Sequence, residues 1–321
     1  MDRSSETPKH VEPRVLSIQS HVVHGNVGNK CATFPLQLLG LEVDSVNSVQ
    51  FSNHTGYPVF KGDIFNGSHL QQLVSGLESN GLLKGYTHLL TGYIGSESLL
   101  QAVVDVLRRL RELNPDITYV CDPVMGDDGK LYVKQEMVEL FRTQMVPLAS
   151  IMVPNQYEAS LLIGSPVSTA AEAMAACQKL HALGPHTVVI TSLAVPDDPD
   201  SLMLLASTTK PQLGGASLSR LQMCIPRIPA YFTGTGDLLA ALLLARIDQY
   251  PGDLAQAVEM AVAGLQAVLS DTAAHCGVAA LSGERTAAVS AARELRLVAN
   301  QRHIVSPVVT LRCTPFPSES S

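Results

Sequence analysis

Residues 88–121, HLLTGYIGSESLLQAVVDVLRRLRELNPDITYVC, contain two short apolar runs separated by an amphipathic stretch. The runs at 88–91 and 117–121 predict strands, because they are short and apolar and are bounded by turn-forming residues. Between them, apolar side chains recur at helical spacing and predict one buried helix face: Leu99, Val103, Val106, Leu107, Leu110 and Leu113. A strand, a helix and a second strand in this order predict a parallel βαβ unit.

The same alternation continues on both sides of this unit. Further short apolar runs predict strands at 15–20, 43–49, 150–153 and 187–191. Thr169 and Glu172 have the spacing of a capping box, which predicts a helix that ends at Gly184. The polar, aromatic stretch 50–65 predicts an excursion beside the sheet edge. We therefore predict an α/β fold with a doubly wound, mostly parallel central sheet, helices on both faces and ligands at the carboxyl ends of the strands.

The composition is that of a folded protein with a sizeable core. Of 321 residues, 46% are hydrophobic and 16% are charged. We expect a single domain over 13–312, a disordered tail at 1–12 and a flexible tail at 313–321. The six cysteines are scattered without a C-x-x-C pair, which favours free thiols in a reducing compartment.

Charge and hydropathy argue against nucleic acids and membranes as partners. The formal net charge is −7, and the basic cluster at 108–111 is followed by Glu112, which is typical of a solvated helix face. The longest apolar run, 238–245, is shorter than the ~20 residues of a membrane span, and residues 1–12 lack the apolar core of a secretory signal. A cytoplasmic protein is expected.

The run Gly234-Thr235-Gly236-Asp237 stands directly before the apolar stretch 238–245 and predicts a ligand-binding turn at the start of a helix. Unpaired amides and the positive end of the helix dipole can hold phosphoryl oxygens there, with Asp237 facing the group that is transferred. The alternative is that Asp237 only caps the helix, because Asp is a preferred N-cap residue.

More polar residues follow the predicted strands, at the edge where such a sheet binds ligands. They are Ser20, Asp122, Asn155, Thr191 and Ser192, with Asp127 and Glu158 a few residues further on. Acidic groups that converge on one edge favour Mg²⁺ and a nucleotide, because hard cations prefer oxygen ligands. The alternative is that Asp122 caps a turn and Asp127 is merely solvated.

Two other patterns are rejected as sites. The run 25–30 lacks P-loop spacing, because only two residues separate its glycines and Cys31 follows where a hydroxyl is required. His21 and His24 have no carboxylate partner at ligand spacing, so a structural role is favoured over a metal site.

Short segments spread over residues 14–269 resemble one known family. They are LSIQSHV at 16–22, NSVQFSNHTGY at 47–57, LTGY at 90–93, CDPV at 121–124, PNQ at 154–156, VITS at 189–192 and GTGD at 234–237. The last segment marks the ribokinase superfamily, whereas the second is typical of its pyridoxal kinase family. The chain is thus identified by resemblance as a member of that family.

The resemblance implies ATP-dependent phosphorylation of the 5′-hydroxymethyl group of pyridoxal, and also of pyridoxine and pyridoxamine. It implies that Asp237 is the general base and that Gly234, Thr235 and Gly236 complete the catalytic turn. The implied vitamin site consists of Ser20, Val49, Phe51, Thr55, Tyr93 and Asp237. The implied ATP site consists of Asp122, Asn155, Glu158, Thr191, Ser192, Thr235 and Gly236.

The resemblance also implies metal ions, a lid and an assembly. Asp127 and Glu158 would lie near Mg²⁺ or another divalent cation, and Asp122 and Thr191 near K⁺ or Na⁺. Residues 126–132 would form a lid that excludes water, as phosphoryl transfer requires. Members of the family are generally homodimers, so a homodimer is expected.

Three positions depart from the family pattern. Val153 stands where Thr is common, which removes a hydroxyl and puts activation by potassium in doubt. Asn26 replaces a usual aromatic residue and Ser160 a usual Glu, and both are interpreted as tuning or neutral changes.

Three rival functions are weighed against this prediction. A kinase for the thiamin pyrimidine alcohol belongs to the same superfamily, but the residues around Phe51 and Tyr93 favour a pyridine substrate. A pyridoxal-phosphate carrier has no need of Asp237 together with metal ligands. A sugar kinase would place more polar side chains where Val49 and Phe51 stand.

Overall fold

A computed structural model of the chain describes residues 12–195, 197–213, 215, 219–277 and 286–317. Residues 1–11 of the predicted N-terminal tail lie outside the described residues. The strands are β1 (Arg14–Val22), β2 (Glu42–Phe51), β3 (Gly62–Ile64), β4 (His88–Thr91), β5 (Thr118–Cys121), β6 (Gly126–Asp127), β7 (Lys130–Leu131), β8 (Ile151–Met152), β9 (Thr187–Ala194), β10 (Ser201–Thr208), β11 (Arg220–Pro226) and β12 (Thr314–Pro315).

The helices alternate with these strands through most of the chain. They are α1 (Asn29–Leu38), α2 (Gly67–Ser79), α3 (Glu97–Leu113), α4 (Gln135–Leu140), α5 (Gln156–Ile163), α6 (Ala170–Leu183), α7 (Thr235–Gln249), α8 (Leu254–Cys276), α9 (Ala287–Ala292) and α10 (Gln301–Val305). Thr169 and Glu172 form the predicted capping box of α6. Within the described residues, no helix is both long and apolar enough to span a bilayer.

Ten strands form one sheet in the order β12-β11-β10-β9-β8-β5-β4-β1-β2-β3. The six strands from β9 to β2 in this order run parallel to their neighbours, which confirms the predicted doubly wound sheet. The strand order reverses at β1: β2 lies on one side of β1, and the chain later returns to place β4 on its other side. Ligands bind at such a switch point because the strand ends there leave a crevice.

Both faces of the sheet are covered by helices. Leu89 and Leu90, adjacent in β4, belong to two different hydrophobic clusters because successive side chains of a strand point to opposite faces. Residues from α2 to α6 pack in the first cluster, and residues from α1, α7 and α8 pack in the second. Burial on both faces explains why the central strands are continuous apolar runs.

The edges of the sheet add strands that the sequence analysis did not predict. β10 pairs antiparallel with β9, β11 pairs antiparallel with β10, and β12 pairs with β11 through Thr314 and Gln222. Thr314–Pro315 therefore belongs to the sheet, although 313–321 was expected to be a flexible tail. At the opposite edge, β3 pairs with β2, as expected for an excursion beside the sheet.

Candidate active site

The polar residues predicted at the strand ends come together around a cleft of about 380 Å³. β5, β8 and β9 supply them directly or through the segment that follows the strand, and the first turn of α7 closes the cleft from the other side. The residues of the predicted ATP site that line it are Asp122, Asn155, Glu158, Thr191, Ser192, Thr235 and Gly236. Asp127, Asp237 and Val153 line the same cleft.

Asp237 lies in the first turn of α7 and does not cap the helix. The N-cap residue is Gly234, which has a φ of 89° in the left-handed region, where glycine is favoured, and supplies no side chain. The Oδ2 atom of Asp237 accepts a 2.7 Å hydrogen bond from the backbone amide of Gly28, in the turn after β1. Burial raises the pKa of Asp237, and the Gly28 amide opposes that rise by stabilising the ionised form.

Two further carboxylates are buried beside Asp237. Asp122 is 5% exposed and Glu158 is 3% exposed. Burial raises the pKa of Asp122, and the nearby charges of Glu158 and Asp237 raise it further. Burial also raises the pKa of Glu158, against the backbone hydrogen bonds that it accepts. A buried carboxyl group whose ionisation is opposed by two neighbouring carboxylates favours a cation or cationic group beside it.

Hydrogen bonds hold the acidic residues in place. Glu158 accepts from the amides of Met125, at 3.0 Å, and Asn155, at 2.9 Å, and forms a capping box with Asn155 at the start of α5. The Oδ2 atom of Asp122, by contrast, is buried without a hydrogen-bond partner. An orphaned carboxylate oxygen that faces this cluster fits a cation ligand, because burying it unpaired is costly.

The predicted lid is a hairpin formed by β6 and β7. Its two turn residues, Asp128 and Gly129, both have positive φ values, of 46° and 75°, as a type I′ turn requires. The side chain of Asn155 donates a 2.8 Å hydrogen bond to the carbonyl of Gly126, which ties the base of the hairpin to α5. Burial and the neighbouring Asp128 raise the pKa of Asp127.

A second cavity of about 310 Å³ adjoins the cleft beneath the same hairpin. Both are lined by Asp127, Tyr132, Tyr231 and Thr233. Of the predicted vitamin residues, Thr55 lines this second cavity. Its other lining residues include His54, Gly56, Ser290 and Arg293.

Asp237 lines the first cleft, and the other four predicted vitamin residues lie at neighbouring strand ends, outside the lining of this cavity. Ser20 on β1 is paired with Val49 on β2. Phe51 ends β2 and packs against Phe60, with ring centroids 5.2 Å apart. Tyr93 follows β4, and burial raises the pKa of its hydroxyl. The structure thus gathers these four side chains along β4, β1 and β2.

The sequence analysis missed several residues of the site. Gly28 belongs to a run that was rejected as a P-loop, yet its amide holds Asp237. Arg227 lines the cleft just after β11, a strand that was not predicted. Glu294 contacts two loops of the site although it lies beyond the segments of resemblance. No motif or spacing in the sequence marked Glu294 as a residue of the site.

The three departures from the family pattern have distinct surroundings. Val153 is 3% exposed and lines the cleft without offering a polar atom of its side chain. Ser160 donates to the carbonyl of Gln156 at 2.9 Å and accepts from the amide of Val167 at 3.0 Å. The side chain of Asn26 donates a 2.8 Å hydrogen bond to the carbonyl of Leu295.

Over the described part of the chain, no group of three or more His, Cys, Asp or Glu side chains has the geometry of a metal site. The cleft nevertheless holds acidic side chains beside a helix amino end, an arrangement suited to a metal-bound polyphosphate. Fold, cleft and lid together define a nucleotide-dependent kinase of the ribokinase-like class.

Comparisons with known proteins specify the family. A family model described as phosphomethylpyrimidine kinase matches residues 85–281. A pyridoxal kinase of Arabidopsis thaliana is 50% identical over 303 residues, which cover 94% of this chain and 94% of that protein. The chain belongs to the pyridoxal kinase family of the ribokinase superfamily.

Solved structures agree with this assignment. The pyridoxal kinase of Leishmania donovani in complex with ADP and pyridoxine has a TM-score of 0.83 and 37% identity, and the match covers 95% of this chain and 99% of that chain. The same enzyme in complex with ADP and pyridoxamine has a TM-score of 0.84 and 38% identity, with the same coverage.

Proposed function

We propose that this chain transfers the γ-phosphoryl group of ATP to the 5′-hydroxymethyl group of pyridoxal, pyridoxine and pyridoxamine. The observation that carries the proposal is the position of Asp237, which faces the cleft from the start of α7 while the Gly28 amide holds its carboxylate. Membership of the family and the B6 vitamers bound to its solved members support this substrate class.

Asp237 orients the alcohol of the vitamin and accepts its proton as the oxygen attacks phosphorus. Because burial raises the pKa of Asp237, its carboxylate is a better proton acceptor than a solvated aspartate. The amides at Thr235, Gly236 and Asp237 lie at the positive end of α7, where they can stabilise charge on the transferred group. Catalysis of this kind consists mostly of positioning and electrostatics.

The acidic side chains of the cleft would hold the cations that accompany ATP. Asp127 and Glu158 would hold Mg²⁺, and Asp122 and Thr191 would hold K⁺ or Na⁺. When bound, these ions neutralise phosphate charge. Closure of the 126–132 hairpin excludes water from the transfer.

The vitamin occupies the region between the second cavity and the ends of β1 and β2. Thr55 and Ser20 provide hydrogen-bonding groups for the polar substituents of the pyridine ring. Val49, Phe51 and Tyr93 provide apolar and aromatic walls for a flat heterocycle. The enzyme is further proposed to act as a cytoplasmic homodimer.

A second candidate substrate is the thiamin pyrimidine alcohol, because the matching family model carries the description phosphomethylpyrimidine kinase. The two substrates share a flat nitrogen heterocycle with a hydroxymethyl group, so the same catalytic turn could serve either. Measuring turnover of pyridoxal and of the thiamin pyrimidine alcohol under the same conditions distinguishes the two candidate substrates.

The experiment measures ADP release from Mg-ATP with pyridoxal, pyridoxine, pyridoxamine and the thiamin pyrimidine alcohol, in sodium and in potassium buffers. We expect turnover of the B6 vitamers and a loss of at least ~10²-fold in kcat for Asp237→Asn. Asp248→Asn is the matched control, because Asp248 lies at the opposite end of the same helix and pairs with His88. Binding of pyridoxal phosphate without turnover of any alcohol would support a carrier instead.

A further inference from the structure

Glu294 lies between the helices α9 and α10 and contacts two loops that border the active site. Its side chain is only 13% exposed. Its Oε2 atom accepts a 2.8 Å hydrogen bond from the amide of Asn26, and its Oε1 atom accepts a 3.0 Å hydrogen bond from the hydroxyl of Tyr57. Both partners are more than 230 residues away in the chain, so the contact is purely tertiary.

A third donor, His54, completes the surroundings of this carboxylate. Its Nε2 atom lies 3.4 Å from Oε1 of Glu294. Its Nδ1 atom accepts a 3.1 Å hydrogen bond from the amide of Gly56, so the ring proton is on Nε2 and points to Glu294. The hydroxyl of Ser290 adds a 3.2 Å bond to the carbonyl of Gly56. The carboxylate is thus surrounded by hydrogen-bond donors.

The three donors belong to two loops with different tasks in the reaction. His54 and Tyr57 flank Thr55, in the loop that lines the second cavity. Asn26 lies two residues before Gly28, whose amide holds Asp237. A Cβ added at Gly25 would overlap the carboxylate of Glu294, so a side chain at residue 25 would displace that carboxylate. One side chain therefore joins the vitamin loop to the turn that orients the catalytic base.

We propose that Glu294 is a positioning residue that sets the vitamin-binding loop 54–57 and the turn 25–28 against each other. It acts through the Gly28 amide on Asp237 and through Tyr57 and His54 on the loop that carries Thr55. The inference rests on the proposed kinase function. It predicts that loss of the carboxylate weakens vitamin binding and turnover while ATP binding is preserved, because none of its partners lines the nucleotide cleft.

The test compares Glu294→Gln with Glu259→Gln. Glutamine has nearly the same shape as glutamate, but it places an amide NH₂ group where a carboxylate oxygen stood. The donors around residue 294 cannot form hydrogen bonds with this NH₂ group, because it is itself a donor. Glu259 is a matched control, because it is also a buried carboxylate that holds the C-terminal segment, through a 2.9 Å bond from the amide of Cys313 and a 2.6 Å bond from Arg312. None of these groups lies in either cavity.

We expect Glu294→Gln to raise KM for pyridoxal at least ~10-fold, to lower kcat, and to leave KM for ATP within about twofold of the wild type. Hydrogen exchange at the Gly28 amide should be at least ~10-fold faster, because the turn is released. Glu259→Gln should leave KM for pyridoxal, KM for ATP and hydrogen exchange at the Gly28 amide unchanged, even if it lowers Tm.

Wild-type values of KM and of Gly28 exchange in Glu294→Gln would overturn the inference, as would equal rises in KM for pyridoxal and ATP. If Glu294→Gln does not fold, Tyr57→Phe removes one donor alone and should raise KM for pyridoxal about threefold. If the wild-type protein turns over no B6 vitamer, the kinase function is refuted. The hydrogen-exchange rate of the Gly28 amide would still test whether Glu294 positions the turn.

Discussion

The backbone amide of Gly28 donates a 2.7 Å hydrogen bond to the Oδ2 atom of Asp237, across 209 residues of sequence. The bond joins the turn after the first strand of the sheet to the first turn of α7. Among the described residues, this amide is the partner recorded for the Asp237 carboxylate. It also favours the ionised form of Asp237, against the burial that raises its pKa.

Replacing Gly28 should damage this arrangement. Gly28 has a φ of 52°, and an added Cβ would overlap the carbonyl and the hydroxyl of Ser20. We expect Gly28→Ala to lower kcat at least ~10-fold and to destabilise the fold, because its φ of 52° and ψ of −127° suit glycine and the backbone of Ser20 must move as well. Gly40→Ala is the control, since Gly40 has a φ of 88° and open space around it. Equal kinetic effects of the two variants would contradict the prediction, and steady-state kinetics with thermal unfolding decide it.

Restoring a hydroxyl at residue 153 should strengthen activation by potassium. Val153 is buried in the cleft beside the acidic cluster, and Thr has nearly the same shape. A new ligand or hydrogen bond worth ~1 kcal/mol would lower the half-saturating potassium concentration about fivefold in Val153→Thr. Val124→Thr adds a hydroxyl elsewhere in the same cleft and should have no such effect. Titration of the activity with potassium at constant ionic strength gives the answer.

Distorting the hairpin over the cleft should uncouple ATP hydrolysis from phosphoryl transfer. Gly129, at a φ of 75°, forms the turn of this hairpin, and a β-branched residue is strained there. We expect Gly129→Val to raise ADP release in the absence of vitamin relative to pyridoxal phosphate formation, because water enters the site. Gly81→Val carries the same backbone strain at a φ of 68° away from the site. An unchanged ratio in Gly129→Val would show that the hairpin does not exclude water.

The stability of the fold should depend on pH through Glu294. Burial opposes ionisation of Glu294, but hydrogen bonds from His54, the Asn26 amide and Tyr57 outweigh it and hold the pKa of Glu294 below its usual range. Its stabilising contribution is therefore complete above the unfolded-state pKa of ~4.3 and is lost as pH falls through the lower folded-state pKa. The difference in Tm between wild type and Glu294→Gln should shrink from pH 6 to pH 3. If this difference in Tm does not change with pH, ionisation of Glu294 is not its cause.

The parallel centre of the sheet was predictable because its signals are local. Each pattern extends over a short piece of sequence: the apolar runs at 88–91 and 117–121, and the helical spacing of the apolar face of α3. The capping box of α6 spans four residues. The antiparallel edge was not predictable in this way. β12 reaches the sheet only by pairing Thr314 with Gln222, and such a partner is chosen by packing over long distances in the chain.

The sequence alone determined the chemical groups of the site and the edge of the sheet on which they meet, because parallel strands deliver their carboxyl ends to one place. Asp122 and Asn155 were found in that way, whereas Asp237 was found from the glycine-rich run before an apolar helix. Only the tertiary structure decided which amide holds Asp237 and which carboxylate joins the two loops around it. The hydrogen bonds of Gly28 and Glu294 link segments more than 200 residues apart, and no local pattern specifies a contact that depends on how distant loops pack.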